Sequence, residues 1–360
     1  MATFETQRES GYARFGGVGD VREPHRFEIG GLEDYLSDRL PGFVRPLSVR
    51  QFKGGQSNPT YELSCPGGRF VLRRKPPGKL LPSAHAVDRE YRVIAALNQI
   101  DYPAPRAHLL CEDPEVIGTA FYVMEAVEGR VLWDPLLPDQ TPEERRAIHA
   151  SLIDALARLH RADFETLGLG DFGRPGNYFA RQIGRWTKQY RASETETVPE
   201  MERLMEWLPE NIPDDDSVAL VHGDFKLDNT IVHPTEPRVI AVLDWELSTV
   251  GHPFGDLTYG IAMRMVPTSP LEGLDDAALR ERGLPTAEET VDAYCRHTGR
   301  SGVPHFDFYV TYNLFRAAAI YQGILGRVRD GTAASAHVLG QGQVHPIART
   351  ALAYARKLGA

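Results

Sequence analysis

The apolar positions of this chain change their period about a third of the way along. Up to residue 127 they fall in short runs broken by turn residues. Leu47–Phe52, Tyr61–Cys65, Phe70–Arg73 and Ala120–Val127 predict strands, and the stretch Gly54 to Thr60, GGQSNPT, predicts a turn between the first two. Pro76-Pro77-Gly78 ends the third run. Two helical patterns interrupt this region: Leu32–Leu40, closed by Pro41-Gly42, and His85–Asn98. From there on, helical spacing dominates. Pro142–Arg161 carries Thr141 as N-cap, proline at the first position and Glu144 at capping-box spacing. Tyr178–Tyr190, Glu200–Leu208, Val310–Arg329 and Ile347–Leu358 predict further helices, while Val218–Val221 and Val239–Leu243 predict two short strands around a loop. Pro267–Pro285 reads as an acidic loop and a candidate insertion over the site. There is no internal repeat. The expected class is α+β: a flexible segment at 1–30, a small β-rich N-lobe at 31–127 and a larger, mainly helical C-lobe at 128–360.

Composition narrows the function without fixing it. The 360 residues are 42% hydrophobic and 25% charged, an ordinary globular balance for two packed lobes. No apolar run is long enough for a membrane-spanning helix, and the first residues, MATFETQRESGYARFGG, lack the apolar stretch of a secretory signal. Cys65, Cys111 and Cys295 lie far apart and form no CxxC pair, which argues against a disulfide framework or zinc site and fits a reducing cytoplasm. A net charge of -9 argues against general nucleic-acid binding. The charge is uneven, however: Arg50 to Arg106 holds ten Lys/Arg against four Asp/Glu. A basic N-lobe suits a polyphosphate, although a solvated charged face explains the same count.

The candidate chemistry lies in Leu220–Val232, LVHGDFKLDNTIV, and Val239–Glu246, VIAVLDWE. His222-Gly223-Asp224, then four residues, then Asn229, with Asp244 at the end of the next strand, follows the kinase arrangement HRDxxxxN and DFG. Phosphoryl transfer needs a group to orient the attacking hydroxyl and accept its proton, a role for Asp224. It also needs Mg²⁺ on the polyphosphate, and Asn229 and Asp244 are hard oxygen ligands for that ion. Lys226 is placed to donate to the transferring phosphoryl group. Turn and cap roles account for Asp224, Asn229 or Asp244 taken singly; they do not account for the joint spacing between two strands. His222 is expected to set the loop by bonding backbone near Asp244, Gly223 to supply an unusual backbone torsion, and Asp256 to brace the loop as a buried carboxylate.

The N-lobe offers the nucleotide side. Arg73 is placed to reach the α/β-phosphates, with Glu90 pairing to fix its direction. Gly54, Gly55, Ser57 and Asn58 form a turn whose amides suit phosphate approach, although a plain hairpin explains it nearly as well. Met124, Glu125 and Val127 sit where a hinge would hold adenine. No GxxxxGK[ST] is present, so a P-loop is not indicated.

With HGDFKLDN and LDWE in hand, the sequence resembles the aminoglycoside phosphotransferase and choline-kinase-like family, from about Leu47 to Gly326. That resemblance implies a protein-kinase-like two-lobe fold, ATP and Mg²⁺ as cofactors, Asp224 as catalytic base, and Asn229 and Asp244 as metal ligands. Arg73 stands where the family usually has lysine. GGQSNPTY, FVLRRKPPG, REYRVIAAL and VLDWELSTVGHPFGDLTY further resemble the kinase domains joined to acyl-CoA dehydrogenases and bacterial kinases of 4-hydroxyacyl-CoA thioesters. This implies a hydroxyacyl-CoA or related hydroxy acid as acceptor. Arg181, Arg185, Lys188 and Arg316 suit an anionic acceptor, while the acidic C-terminal portion suits an aminoglycoside or choline-like amine. A catalytically silent nucleotide-binding or scaffold protein is the reading from another class, and the intact Asp224, Asn229 and Asp244 oppose it. Acceptor chain length and oligomeric state stay open.

Overall fold

The structure is a computed structural model; it describes residues 16–54, 58–77, 86–267, 269–330 and 342–360. In chain order the elements begin with β1 (Val18–Gly19), α1 (Ile29–Ser37), β2 (Ser48–Phe52), β3 (Thr60–Cys65) and β4 (Gly68–Arg74). Next come α2 (Val87–Leu97), β5 (Ala107–Cys111), α3 (Pro114–Ile117), β6 (Phe121–Glu125), α4 (Pro142–Arg161), α5 (Tyr178–Ser193) and α6 (Pro199–Glu210). The motif region holds β7 (Ala219–Val221), β8 (Thr230–Val232), β9 (Val239–Val242) and β10 (Thr249–Gly251). The chain ends with α7 (Pro253–Met263), α8 (Asp276–Glu281), α9 (Ala287–Thr298), α10 (Phe306–Arg329) and α11 (Val344–Arg356). This is a kinase-like fold with a small antiparallel-sheet N-lobe and a helical C-lobe.

Two compact units divide these elements. The first takes the chain up to Trp133 together with Asp228–Ser248; the second takes Asp134–Leu227 and Thr249–Ala360. In the first, six antiparallel strands run in the order β1-β2-β3-β4-β6-β5, and β8 and β9 form a separate hairpin. Alternation on β4 decides what each face does. Phe70 and Leu72 are buried with Tyr61, Leu63 and Val123, and Leu32 and Leu36 of α1 pack onto the same cluster. Val71 and Arg73 point the other way, so Arg73 reaches the polar groups on the opposite side of the sheet. The residues from Gly16 to 30, expected to be flexible, are held down. Val18 pairs with Phe52, and the Tyr61 hydroxyl donates to the His25 carbonyl at 2.9 Å.

In the second unit α10 is the spine, packed against α5, α7 and α11, while α4 packs on α9. Phe179, Phe308, Tyr309 and Tyr312 interlock with ring centroids 5.0–5.6 Å apart. The capping box expected on α4 is formed: Thr141 N–H donates to Glu144 Oε2 at 2.8 Å and Glu144 N–H to Thr141 Oγ1 at 3.3 Å. The segment expected as an acidic loop, Pro267–Pro285, instead contains α8 and a small core of Leu271, Leu279 and Leu284. Its end is tied to the start of α4: Arg145 Nη1 donates to the Arg282 carbonyl at 3.1 Å, and Gly283 sits against Pro142. Among the described residues, no helix is long and apolar enough to cross a membrane.

Candidate active site

In the second unit β7 delivers His222, Gly223 and Asp224. Gly223 has φ +85°, a left-handed torsion that side chains avoid, as its sequence position suggested. Asp256, in the first turn of α7, fixes the turn by accepting from His222 N–H at 2.5 Å and Gly223 N–H at 2.8 Å. His160 Nε2 lies 3.5 Å from the same carboxylate. Burial pushes the Asp256 carboxyl up, but hydrogen bonds from His160 and the loop amides more than reverse this and hold it below its ordinary value. The expected bracing carboxylate is therefore present. His222 Nδ1 accepts from Asp224 N–H at 3.2 Å.

The Asp224 carboxylate is one-fifth exposed, with Lys226 Nζ 3.5 Å away. Two residues of other helices complete its surroundings. The Tyr259 phenol stands near the Asp224 charge, and burial first and that charge next push it up. Arg316, 5% exposed, donates to the Gly223 carbonyl at 2.6 Å and stacks over Tyr259. No carboxylate lies within ion-pair distance of Arg316 among the described residues, and its Nε is buried without a partner. Tyr259 carries no sequence signal pointing to Asp224, because only the packing of α7 brings it there.

In the first unit the β8–β9 hairpin sets Asn229 and Asp244 together. Thr230 pairs with Val242, and Leu243 N–H donates to the Asn229 carbonyl at 2.8 Å, so the two residues flank one end of the hairpin. Asp244 has φ +66°, a left-handed torsion that aspartate tolerates better than most side chains. Arg73 Nη2 lies 2.7 Å from Asp244 Oδ1 and 3.4 Å from Glu246 Oε2, and Arg73 Nε lies 3.0 Å from Glu90 Oε2. The ion pair expected between Arg73 and Glu90 is thus formed, within a larger cluster that includes Glu246. That residue is visible in the sequence only as the last letter of DWE.

Glu90 is 1% exposed and is also held by Asn58 Nδ2 at 2.7 Å and the Tyr122 hydroxyl at 3.1 Å. Asn58, expected at the phosphates, spends its side-chain amide on Glu90. Burial opposes the Arg73 charge, but Glu90 and Asp244 more than compensate and raise its pKa. Burial pushes the Glu90 carboxyl up; Arg73 only partly offsets this, and the neighbouring Asp244 charge adds to the rise. Gly55 and Ser57 lie outside the described residues. At the expected hinge, Met124 is buried in β6 between Val71 and Ala107. The Glu125 N–H is already taken by the Arg106 carbonyl at 2.8 Å, and Glu125 Oε2 accepts from Arg106 N–H at 3.1 Å. Val127 follows the strand, half-buried.

The chain matches the phosphotransferase enzyme family over residues 48–294. It belongs to that family. A Ralstonia eutropha protein provisionally named an aminoglycoside phosphotransferase is 48% identical; the match covers 92% of this chain and 99% of that one, with a TM-score of 0.83. Acyl-CoA dehydrogenase family member 11 of Rattus norvegicus is 43% identical over 94% of this chain, which spans 44% of that relative's length. The aminoglycoside phosphotransferase APH(4)-Ia, solved as a ternary complex with AMP-PNP and hygromycin B, shares the fold at 16% identity; the match covers 92% of this chain and 99% of that one, with a TM-score of 0.58.

Proposed function

We propose that this chain is an ATP- and magnesium-dependent kinase that phosphorylates a hydroxyl of a small molecule, with a hydroxyacyl-CoA or related hydroxy acid as acceptor. One observation carries the nucleotide side: Glu90, Asp244 and Glu246 converge on the Arg73 guanidinium, with Asn229 beside Asp244 at the same end of the β8–β9 hairpin. The donors fit magnesium. Asp244 and Asn229 offer hard oxygens, and Mg²⁺ needs only one or two protein ligands beside phosphates and water. Bound magnesium supplies neutralisation of the nucleotide's β- and γ-phosphate charge. APH(4)-Ia, with AMP-PNP bound on the same fold, supports ATP as donor.

In this reading Asp224 accepts the proton of the acceptor hydroxyl as its oxygen bonds to the γ-phosphorus and the bond to ADP breaks. The Asp256-braced turn holds that carboxylate in place, with the Tyr259 phenol near it. Lys226 shifts from Asp224 toward the transferring phosphoryl, and Arg73 toward the α/β-phosphates, with Glu90 keeping its direction. Asn58, Met124, Glu125 and Val127, with Gly55 and Ser57, are the remaining candidates for holding the nucleotide.

Two observations support an anionic acceptor. Relatives 43% identical carry an acyl-CoA dehydrogenase name, and the buried Arg316, bonded to the Gly223 carbonyl and with no carboxylate within ion-pair distance among the described residues, disfavours a polycation there. The provisional name of the Ralstonia protein favours a second reading, an aminoglycoside or choline-type amine. ADP release measured against hydroxyacyl-CoAs, free hydroxy acids, aminoglycosides and choline decides between them. The expected result is the highest kcat/KM for a hydroxyacyl-CoA. A higher value for an aminoglycoside or choline overturns the acceptor assignment, and no release with any acceptor points to a silent nucleotide-binding protein.

A further inference from the structure

A cavity of about 350 Å³ lies in the second unit, where Arg146, His149 and Ile153 of α4 face Glu289, Thr290 and Ala293 of α9. Leu284 and Pro285, just after α8, wall the same space, and Arg280 of α8 stands at its edge. The volume is at the small end of the range for ligand sites. It is distant from the catalytic turn. His160, which contacts Asp256, lies eleven residues further along α4 from His149, about 16 Å at 1.5 Å per residue.

Three features give this cavity a chemical preference. His149 lines it, is 7% exposed, and has its Nε2 buried without a hydrogen-bond partner. Burial and the Arg264 charge push its imidazole down to about 3, so it is neutral at physiological pH. A neutral imidazole carries one N–H, and an orphaned buried donor costs free energy until an acceptor reaches it. Arg264 donates to the Pro285 carbonyl at 2.6 Å. No carboxylate lies within ion-pair distance of it among the described residues, and burial lowers its pKa to about 10. Arg146 and Arg280 are each half-exposed and paired with one glutamate, Glu143 at 2.7 Å and Glu289 at 2.8 Å. Asp276 and Glu288 also act on Arg280, so the charges at the rim are offset, and the uncompensated charge beside the cavity is that of Arg264. Ile153, Leu284 and Ala293 supply apolar wall.

We infer that this cavity binds a small organic carboxylate, its apolar body against Ile153, Leu284 and Ala293 and its acid group accepting from His149 Nε2. The ligand selects the tautomer with the proton on Nε2, and the Arg264 charge, which no carboxylate among the described residues pairs, selects an anion over a neutral or cationic analogue of the same size. This site is independent of the phosphoryl-transfer assignment.

Isothermal titration of the whole chain with hexanoate, benzoate, hexanol and hexylamine, under saturating Mg-ADP, tests the inference. The expected result is saturable binding of at least one acid, with hexanol at least about tenfold weaker and hexylamine weaker still. His149→Phe is expected to weaken the acid about tenfold or more. Ala150→Trp, a bulky substitution at an exposed position on the cavity lip, is expected to do the same while leaving the melting temperature unchanged. The inference is overturned if neither acid binds, if alcohol or amine binds as well as acid, or if both variants keep the affinity of the parent chain.

Discussion

Asp256→Ala is the most exacting test of how the His222–Asp224 turn is held. Its carboxylate is 3% exposed and collects His222 N–H, Gly223 N–H and His160. Removing it strands up to three buried donors at about 1–3 kcal/mol each, and water entering the vacated space recovers part of this; the expected loss is about 3–5 kcal/mol. Asp256→Asn separates hydrogen bonding from packing. The amide has nearly the same shape, yet it keeps one acceptor and turns an NH₂ donor toward a group that also donates. Its cost is therefore expected to be about 2–4 kcal/mol, approaching that of alanine. Urea unfolding followed by fluorescence and circular dichroism gives both values, and ADP release gives the accompanying loss of turnover. An asparagine variant within about 0.5 kcal/mol of the parent chain would refute the bracing role, since surface-like substitutions give changes of that size. The pH dependence has a definite sign. Because the folded-state pKa lies below the ordinary value of 3.8, this carboxylate's contribution is complete above that value and is lost as pH falls through the folded pKa. Asp256→Ala is accordingly expected to flatten the acid limb of the stability curve and leave the neutral-to-alkaline limb unchanged in shape.

Asp224→Ala is expected to lower turnover about 10²–10⁴-fold with nucleotide affinity retained, measured by ADP release and nucleotide titration; near-normal turnover removes Asp224 from the role of base. Asp244→Ala is expected to raise the Mg²⁺ concentration for half-maximal rate by at least about tenfold, and an unchanged magnesium profile counts against its role as a ligand. Arg73→Ala leaves Glu90 buried without its cation and is expected to cost about 3–5 kcal/mol. Combining it with Glu90→Gln recovers part of that loss, and strict additivity in a double-mutant cycle contradicts the pairing. Gly283→Ala drives a Cβ into the Pro142 backbone at φ +72°. A loss of about 1–3 kcal/mol is expected from urea unfolding, and an unshifted transition argues against the close approach.

The sequence by itself determined most local elements and marked the candidate reactive set. Amphipathic periods and caps marked α4, α5, α6 and α11, because such helices bury one stripe and solvate the other. α7 gave no such signal: it is buried on nearly all sides, so PFGDLTYGIAM has no polar face to set a period. α9 went unassigned although its capping box, Thr286 with Glu289, was there to be read. HGDFKLDN and LDWE were legible because backbone-tethered spacing constrains which groups can act together. Tertiary structure alone decided the partners. Glu246 joining Arg73, Tyr122 and Asn58 closing on Glu90, and Tyr259 reaching Asp224 all join residues far apart in the chain or on separate elements. So does the cavity beside His149. Such contacts are fixed by which faces pack against one another, and that is a property of the whole fold rather than of any segment read alone.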